Sequence, residues 1–287
     1  MAGPSRDGLL LVDKPAGMTS HDVVALARRA LDERRVGHAG TLDPFATGLL
    51  VLLAGRATRL LPFLDGEPKV YEAVIRFGAE TDTDDLTGAP ARSAAAPDDA
   101  AIARGIAALT GDIEQLPPAY SAKQVSGQRA YAAARRGAPL ALAPVRVRVN
   151  FWEVCDRAGD DLTVRITCGA GTYIRALARD LGRLTESAAH LAALRRLRSG
   201  AFDVAGAITV DELTRGRPRL RPPLEALRSL AVDELDGAAL RLVLHGNAVP
   251  ARVPGQRAAL VDGARELVAV ADRDGASWRP RVVLRDA

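Results

Sequence analysis

The sequence predicts an α+β fold whose main domain is built on a mixed, mostly antiparallel sheet and is followed by a small β module. An apolar run at 49–53, bounded by glycines, has the length and composition of a buried strand. Runs at 145–154 and 161–168 flank a turn and indicate an antiparallel hairpin. Helical periodicity over 21–31 shows that helices are interspersed with these strands.

The first part of the chain predicts short elements in close succession. Gly8–Val12 is expected to be a strand, and Ser20 is the expected N-cap of an amphipathic helix over His21–Leu31. After the buried strand, a short helix is expected near Arg56–Leu64 and an alternating strand near Tyr71–Phe77.

The middle of the chain predicts a loop and further helices. Residues 87–99 contain two prolines in an alanine-rich stretch, which indicates a loop followed by a helix. Thr172 is the expected cap of a helix that ends near Leu184, and Ser187 is expected to begin another helix.

The stretch RGRPRLRPP at 215–223 marks a change in composition. Its prolines cannot continue a helix and its arginines repel one another, so we expect a linker. Residues 231–287 contain short Val-, Leu- and Ala-rich runs separated by glycine and aspartate, a pattern typical of small β-barrels. Two domains are therefore expected, at 1–225 and 231–287.

Length and composition exclude several classes of protein. The 287 residues are 48% hydrophobic and 26% charged, which is ordinary for a globular protein. No window approaches about 18 uninterrupted apolar residues, so no membrane span is expected. The first apolar run stops at Asp13 and Lys14, too early for a signal peptide, and a cytoplasmic location is expected.

The cysteines and histidines predict neither a disulfide nor a metal centre. In the simple register of the hairpin, Cys168 lies opposite Phe151, which leaves Cys155 about 13 Å out of step. A disulfide requires Cα atoms within about 7 Å, so we expect two reduced, buried thiols. No Cys or His pair has the spacing of a zinc site.

The net charge of +4 is concentrated in one segment. Residues 111–150 contain six lysines and arginines against two acids, so this segment holds the whole net charge. Such a concentration suits a surface that binds phosphates. A solvated charged face would have the same composition, and the charge alone does not decide between the two.

The segment Val36–Leu50, VGHAGTLDPFATGLL, combines three glycines, a proline, a histidine and one acid. Pro44 biases Asp43 toward an extended backbone, and the glycines allow conformations closed to other residues. Such a constrained loop holds its side chains rigidly, as catalysis requires. The patterns GxxxxGK[ST] and GxGxxG of nucleotide-binding loops are absent. From the residues alone, Asp43 is either a catalytic carboxylate or an ordinary turn aspartate.

Two other stretches contain residues suited to chemistry. In Cys168–Gly182, CGAGTYIRALARDLG, a strand passes through a glycine-rich turn into a helix with Arg175 and Arg179 on one face. Arginines on a helix face are usually solvated. Tyr71 opens a strand, where a tyrosine more often packs than reacts.

These stretches, in this order, resemble the TruB-type tRNA pseudouridine synthases. The loop GHxGTLDPxAxG is highly specific to that family, and GTYIR follows it at the expected position. The chain departs from many relatives at Gly169 and Ala170, where they have a serine followed by a basic residue. The resemblance covers residues 8–200 through GLLLVDKPAGMTSHDVV, GHAGTLDPFATGLL, KVYEA, QLPPAYSAKQVSGQRAYAAARRG, CGAGTYIRALARDLG and HLAALRRLRSGAF.

The resemblance implies a role for each matching residue. Asp43 would be the essential catalytic aspartate, Arg175 would pair with it, and Tyr71 would stack on the flipped uracil and help to move the C5 proton. The residues expected to contact the substrate are His38 beside the flipped nucleotide, Tyr173 and Leu194 in the apolar lining of the pocket, and Lys123, Arg129, Arg135 and Arg136 on its phosphates.

The last four belong to residues 115–140, which match a bacterial insert that closes over the T-arm of tRNA. The C-terminal 231–287 is similar to a PUA-like RNA-binding module. The implied partner is tRNA alone, without a guide RNA or a membrane, and the implied state is a monomer.

The implied reaction is isomerisation of uridine to pseudouridine at position 55 in the T-loop of tRNA. It breaks the N1–C1′ bond of a flipped uridine and rejoins the base through C5, so no cofactor is required. Two alternatives stay open. A non-catalytic RNA-binding or tRNA-folding protein is disfavoured by the presence of Asp43, Tyr71 and Arg175. The guide-RNA-dependent branch of the superfamily is disfavoured by the basic insert.

Overall fold

The protein divides into two compact units in a computed structural model that describes residues 7–120 and 140–285, and the backbone of 124–125 and 128–129. The first unit comprises the described residues of Met1–Pro44, Leu49–Gly66 and Ala201–Ala287. The second unit comprises those of Phe45–Gly48 and Glu67–Gly200. Both units mix helices with sheet, which confirms the predicted α+β class.

The secondary structure consists of short helices between many strands. None of the helices in the described part of the chain is long and apolar enough to span a membrane. The α-helices are α1 (Ser20–Leu31), α2 (Asp99–Ala108), α3 (Ile174–Leu184), α4 (Val210–Arg215) and α5 (Gly237–Leu244), and 3-10 turns lie at Gly55–Phe63, Val204–Gly206 and Pro223–Leu227. The strands are β1 (Gly8–Lys14), β2 (Val36–Ala39), β3 (Thr47–Ala54), β4 (Lys69–Phe77), β5 (Ala79–Thr81), β6 (Pro90–Ser93), β7 (Gly111–Gln115), β8 (Gln124–Val125), β9 (Gln128–Arg129), β10 (Val145–Ala158), β11 (Asp161–Cys168), β12 (Ala189–Ser199), β13 (Phe202–Asp203), β14 (Ile208–Thr209), β15 (Ala231–Glu234), β16 (Val249–Pro250), β17 (Arg257–Val261), β18 (Leu267–Asp274) and β19 (Ser277–Val283).

The second unit is built on strands in the order β12-β4-β11-β10-β7, and all neighbours in this series are antiparallel. Burial alternates along β11, so one face of the sheet packs inward while the other is partly exposed. At the start of β3, Thr47 and Gly48 pair in parallel with Arg195 and Arg196 of β12. The sheet is therefore mixed and mostly antiparallel, as predicted.

The first unit contains the apolar strands β1 and β3. The run 49–54 is buried throughout, because both faces of the strand are covered. β2 pairs antiparallel with β3, and β14 pairs parallel with β1. One face packs on α1, whose core residues are Val23, Val24, Ala27 and Leu31, and the other packs on residues of the C-terminal sheet that include Ala259, Leu267, Val270 and Leu284.

The C-terminal residues form a sheet in the order β15-β17-β18-β19-β16, which confirms the predicted small β module. Its largest core residue, Trp278, is fully buried and donates from Nε1 to a carboxylate oxygen of Asp233 at 2.7 Å. In the preceding stretch, Arg221 and Leu9 exchange backbone hydrogen bonds of 2.8 and 3.0 Å. The arginine- and proline-rich segment is thus bonded to β1 in the first unit.

The prediction of a helix beginning at Ser187 is wrong, because this part of the chain forms strand β12. Alanine, leucine and arginine all favour helices in isolation. Pairing with β4 along the strand, and with β3 at Arg195 and Arg196, overrides that preference. The strand β6 at Pro90–Ser93 likewise lies inside the predicted loop and pairs with β5.

Two predicted helix caps are also wrong. Helix α1 is capped by Thr19, whose hydroxyl accepts from Asp22 N at 3.1 Å, while the Asp22 carboxylate accepts from Thr19 N at 2.8 Å. Ser20 instead lies inside the helix and is buried. Helix α3 begins after Tyr173, and Thr172 does not cap it.

The prediction that both cysteines are free thiols is confirmed, but the prediction that both are buried is wrong. Both cysteines are free, but Cys155 is exposed and only Cys168 is buried. The register also differs, because bulges shift the hairpin and place Cys168 opposite Val149 instead of Phe151. Burial raises the pKa of the Cys168 thiol to about 11, so this thiol is protonated at neutral pH.

A prediction concerns Gly48, where β3 meets β12. Its φ is +100°, and a Cβ there would approach the Arg196 carbonyl oxygen to 2.3 Å and its amide nitrogen to 2.7 Å. Gly48→Ala should lower the free energy of unfolding by about 2–5 kcal/mol, because backbone strain and overpacking add. The matched control is Gly78→Ala, at φ +98° with open space around the added carbon. Equal losses in denaturant unfolding of the two variants would contradict the close-approach argument.

Candidate active site

The loop that contains Asp43 is fixed on both sides of this residue. Leu42 N donates to the Ser20 hydroxyl at 2.9 Å, and that hydroxyl donates to the Leu42 carbonyl at 3.2 Å. On the other side, the Pro44 carbonyl accepts from Gly17 N at 2.8 Å. Leu42 is buried and Asp43 is half-buried. The loop is therefore held through the neighbours of Asp43, and the Asp43 side chain stays partly accessible.

A buried lysine supports the same loop. Lys14 is fully buried, and its ammonium donates to the carbonyls of Met18 at 2.7 Å, Pro15 at 2.9 Å and Pro44 at 3.3 Å. These carbonyls replace the water that a buried ammonium loses. Sequence analysis missed this role, because Lys14 and Pro44 are 30 residues apart and no local pattern joins them. Lys14 therefore places a positive charge beside the Asp43 loop.

His38 lies on β2, opposite Leu52 of β3, at the start of the same loop. Its ring meets that of His21 edge to face, with centroids 5.7 Å apart. His38 is half-buried, whereas His21 is exposed at the first turn of α1. The structure thus places His38, like Asp43, in the first unit.

Tyr71 and Leu194 lie on neighbouring strands of the second unit. In the register of β4 and β12, Tyr71 is opposite Arg196 and Ala73 is opposite Leu194. Residues two apart on a strand face the same side, so these four side chains share one face of the sheet. Tyr71, Leu194 and Arg196 are all buried, with Arg196 only 1% exposed. Sequence analysis missed Arg196, because a buried arginine cannot be told from its exposed neighbours in the run LRRLR.

Arg175 is buried, with 4% of the residue exposed, unlike most arginines on a helix face. One terminal nitrogen donates to the Thr83 carbonyl at 2.8 Å, and the other donates to the Tyr120 carbonyl at 2.8 Å. A carboxylate oxygen of Asp85 lies 3.6 Å from the first nitrogen. The guanidinium is therefore held in one orientation by groups from two other chain segments.

The start of α3 is fixed by Gln115, which no sequence pattern indicated. This buried side chain accepts from Tyr173 N at 2.8 Å and donates to the Tyr173 carbonyl at 3.1 Å. These bonds fix the backbone of the N-cap residue Tyr173, and among the described residues no side chain caps the first turn of the helix. Tyr173 itself is half-buried and directly precedes the helix that carries Arg175.

The acidic turn 80–85 is the main feature that sequence analysis overlooked. The carboxylate of Asp85 accepts from the Thr83 hydroxyl at 2.8 Å and from the backbone and hydroxyl of Thr87 at 2.9 and 2.6 Å. Asp84 and Asp85 are both buried. The sequence TDTDD at 81–85 could have indicated this turn, because threonine and aspartate side chains favour turns by bonding the nearby backbone.

The acidic turn faces the arginines of α3. Asp85 lies beside Arg175, and Asp84 lies 2.8 Å from Arg179. Burial raises the pKa of Asp84 to about 6, while the nearby arginines act to lower it. Arg179, on the same face of the helix as Arg175, is likewise buried, at 5% exposed.

The predicted phosphate contacts lie largely outside the described residues. This applies to Lys123, Arg135 and Arg136, and only the backbone of Arg129 is described. Within the described residues, no group of three or more His, Cys, Asp or Glu side chains is arranged to hold a metal ion. Among the described candidate residues, the first unit contains the half-buried Asp43 and His38. The second unit contains the buried Tyr71, Leu194 and Arg175.

The chain is similar to known pseudouridine synthases over most of its length. The family model described as TruB family pseudouridylate synthase (N terminal domain) matches residues 28–174. The model described as tRNA pseudouridylate synthase B C-terminal domain matches residues 175–230.

Relatives and solved structures agree with this assignment. A Thermobifida fusca protein named tRNA pseudouridine synthase B is 46% identical over 289 residues, covering 96% of this chain and 98% of its own. One of the same name from Mycobacterium ulcerans is 44% identical, covering 99% and 93%. A crystal structure of a Cbf5-Nop10-Gar1 complex is similar at a TM-score of 0.72 and 26% identity, covering 97% of this chain and 85% of that one. The chain belongs to the TruB family of pseudouridylate synthases.

Proposed function

We propose that this protein isomerises uridine to pseudouridine at position 55 in the T-loop of tRNA, with Asp43 as the catalytic carboxylate. The observation that carries the proposal is the fixed loop, in which hydrogen bonds to Leu42 and Pro44 hold the backbone while Asp43 stays half-buried. A catalytic group must be held within a fraction of an ångström of its productive position. The names and coverage of the similar proteins support the substrate class.

The proposed chemistry needs one ionised carboxylate and a way to hold an extruded base. Breaking the N1–C1′ bond and rejoining the base through C5 consumes nothing, so no cofactor takes part. The carboxylate of Asp43 acts on the sugar or on the uracil ring as a nucleophile or a base. Extruding the uridine costs stacking energy, which a protein surface must recover by stacking on the flipped base.

Tyr71 supplies the stacking surface in this proposal, and Leu194 extends it. Both are buried and share a face of the sheet, so their packing keeps them in place before the base arrives. Tyr173, half-buried and tied to Gln115, adds to the apolar lining. His38 lies near the flipped nucleotide.

Arg175 keeps Asp43 ionised in this proposal. A cation within about 4–6 Å lowers the pKa of a carboxyl group by about 1–3 units, which opposes the effect of desolvation. Arg175 is suited to that role because its guanidinium is always charged and its hydrogen bonds to the carbonyls of Thr83 and Tyr120 fix its orientation.

The substrate is tRNA recognised directly, at its T-arm, by a monomer in the cytoplasm. Two of the similar solved structures are named as complexes of Cbf5 with Nop10. They are 25–26% identical to this chain, whereas the proteins named tRNA pseudouridine synthase B are 43–50% identical. The higher identity favours action on tRNA without a guide RNA. The C-terminal module at 231–287 is proposed to bind RNA as a PUA-like domain.

The proposal predicts that Asp43→Asn abolishes product formation and leaves tRNA binding nearly intact. The amide is almost isosteric, but it is neither a useful nucleophile nor a base. Unmodified tRNA transcript is incubated with each protein, and pseudouridine is mapped by carbodiimide-dependent reverse-transcription stops. The wild type should give a T-loop stop and Asp43→Asn none, with affinity changed by less than about tenfold, or 1.4 kcal/mol.

The control for this experiment is Asp99→Asn, which removes an exposed carboxylate at the start of α2 and should leave the stop unchanged. A wild-type reaction without a T-loop stop would contradict the proposed function. Turnover by Asp43→Asn, in a preparation free of deamidation, would contradict only the role of Asp43.

A second prediction concerns Arg175→Met, which keeps the length of the side chain and removes its charge. The pKa of Asp43 should rise without the nearby cation. The acid limb of the pH–rate profile should therefore shift to higher pH, because Asp43 becomes protonated sooner as the pH falls. The measurement is the pH dependence of single-turnover chemistry at saturating tRNA. An unshifted acid limb in a folded variant, with chemistry limiting in both proteins, would show that Arg175 does not tune the carboxylate.

A third prediction concerns the basic insert. The candidate phosphate contacts in this insert are Lys123, Arg129, Arg135 and Arg136. If all four contact phosphates, changing them to glutamine should reduce the steepness of the slope of log affinity against log salt concentration by at most about 3.6. The effect should depend little on base sequence, because phosphate contacts do not read bases. The control changes four exposed arginines elsewhere, which are Arg29, Arg34, Arg104 and Arg279. Parallel plots for the wild type and the insert variant would mark this charge as a solvated face.

A further inference from the structure

We infer that Arg179, held by Asp84, is a positioning residue that fixes the two backbone segments whose carbonyls orient Arg175. The inference rests on the proposed role of Arg175 in the reaction. It concerns a buried ion pair one helical turn from Arg175, on the same face of α3.

Arg179 uses each of its side-chain nitrogens for a different partner. One terminal nitrogen donates to the Asp84 carboxylate at 2.8 Å, and the other donates to the Leu116 carbonyl at 2.8 Å. The Nε donates to the Asp180 carboxylate at 2.9 Å. The planar guanidinium is suited to such a fork, because its donors have fixed directions.

The partners of Arg179 are close in sequence to those of Arg175. Arg175 bonds the carbonyl of Thr83, and Arg179 bonds the side chain of the next residue, Asp84. Arg175 also bonds the carbonyl of Tyr120, and Arg179 bonds that of Leu116 in the same segment. Two arginines thus cross-link α3 to the same two segments. Loss of the Arg179 links would free both segments to shift, and the acceptors of Arg175 would move with them.

The backbone conformation of Asp84 allows its charge to be tested separately from its shape. Asp84 has a φ of +60°, in the left-handed region that few residues other than glycine, asparagine and aspartate adopt. Its carbonyl accepts from Leu191 N at 3.0 Å, which ties this conformation to β12. Asparagine would satisfy the backbone equally well. The carboxylate is what Arg179 requires, and it is mostly ionised at neutral pH because the raised pKa of Asp84 is still only about 6.

The next arginine along this face provides a matched control. Arg183 pairs with Glu80, but it is about half exposed and bonds no backbone carbonyl near the acceptors of Arg175. Glu80 would keep Arg92 at 3.7 Å if Arg183 were changed. Arg183→Gln therefore removes an arginine–carboxylate pair from α3 without affecting the orientation of Arg175.

The test is a double-mutant cycle on single-turnover pseudouridine formation with unmodified tRNA transcript. Arg179→Lys keeps the charge beside Asp84, but one ammonium cannot also reach Leu116 and Asp180 in the fork geometry. The rate at saturating tRNA should fall by about 10- to 100-fold, as expected for a misplaced catalytic partner. KM should change by less than about threefold, since the interaction acts in the transition state.

The cycle is completed in an Arg175→Met background, where Arg179→Lys should cause no further loss of rate if Arg179 acts through Arg175. Arg183→Gln should keep the wild-type rate within about twofold, because Glu80 keeps Arg92 as a partner. The bonds of Arg183 to Glu80 also do not involve Thr83 or Tyr120, the acceptors of Arg175. Equal losses in the two backgrounds, or a wild-type rate for Arg179→Lys, would overturn the inference.

A second variant covers the case in which Arg179→Lys does not fold. Asp84→Asn combined with Arg179→Gln removes both charges, so neither is left buried and uncompensated. Its thermal midpoint should lie above that of Arg179→Gln alone, while its rate stays low because the link to Leu116 is still missing. A rate that recovers along with the stability would show that the pair is only structural. Absence of product from the wild type would instead contradict the proposed function, and with it the inference.

Discussion

The guanidinium groups of Arg175 and Arg179 are buried, and acceptors from two other segments of the second unit bond them in place of water. A buried charge that loses its partners costs several kcal/mol, so each donor requires a fixed acceptor. The acceptors come from the acidic turn 80–85 and from the segment 116–120, which are far apart in sequence. These contacts link the turn, the segment and helix α3 into one network. The placement of the site residues on α3 follows from that network.

The two arginines are bonded in different ways. Arg179 bonds the carboxylates of Asp84 and Asp180 directly. Arg175 bonds two backbone carbonyls, and its ion pair with the buried carboxylate of Asp85 is longer, at 3.6 Å. Both guanidinium groups therefore have a carboxylate beside them, and the two carbonyls fix the direction of the Arg175 guanidinium.

Most strands and the constrained backbone of the Asp43 loop could be predicted from the sequence, because apolar periodicity and glycine–proline constraints are local. It failed where a distant partner decided the outcome. Strand β12 contains helix-favouring residues and is a strand only because β4 and β3 pair with it. The residue before α3 is fixed by Gln115, 58 residues away. Arg175 and Arg179 have the composition of a solvated helix face, but the acidic turn and the segment 116–120 supply buried acceptors for them.

The same logic explains why Ser20 was mistaken for a cap. Thr19 fills that position through its capping box with Asp22, and Ser20 is thereby free to bond both backbone groups of Leu42. On the other side of Asp43, Lys14 bonds the carbonyl of Pro44, so a buried cation is again solvated by carbonyls. In the proposed reaction, the carboxylate of Asp43 must stay ionised. The positive charge of Lys14, which lies in the same unit and bonds the neighbouring Pro44 carbonyl, favours that state, and the bonded loop holds the carboxylate in place.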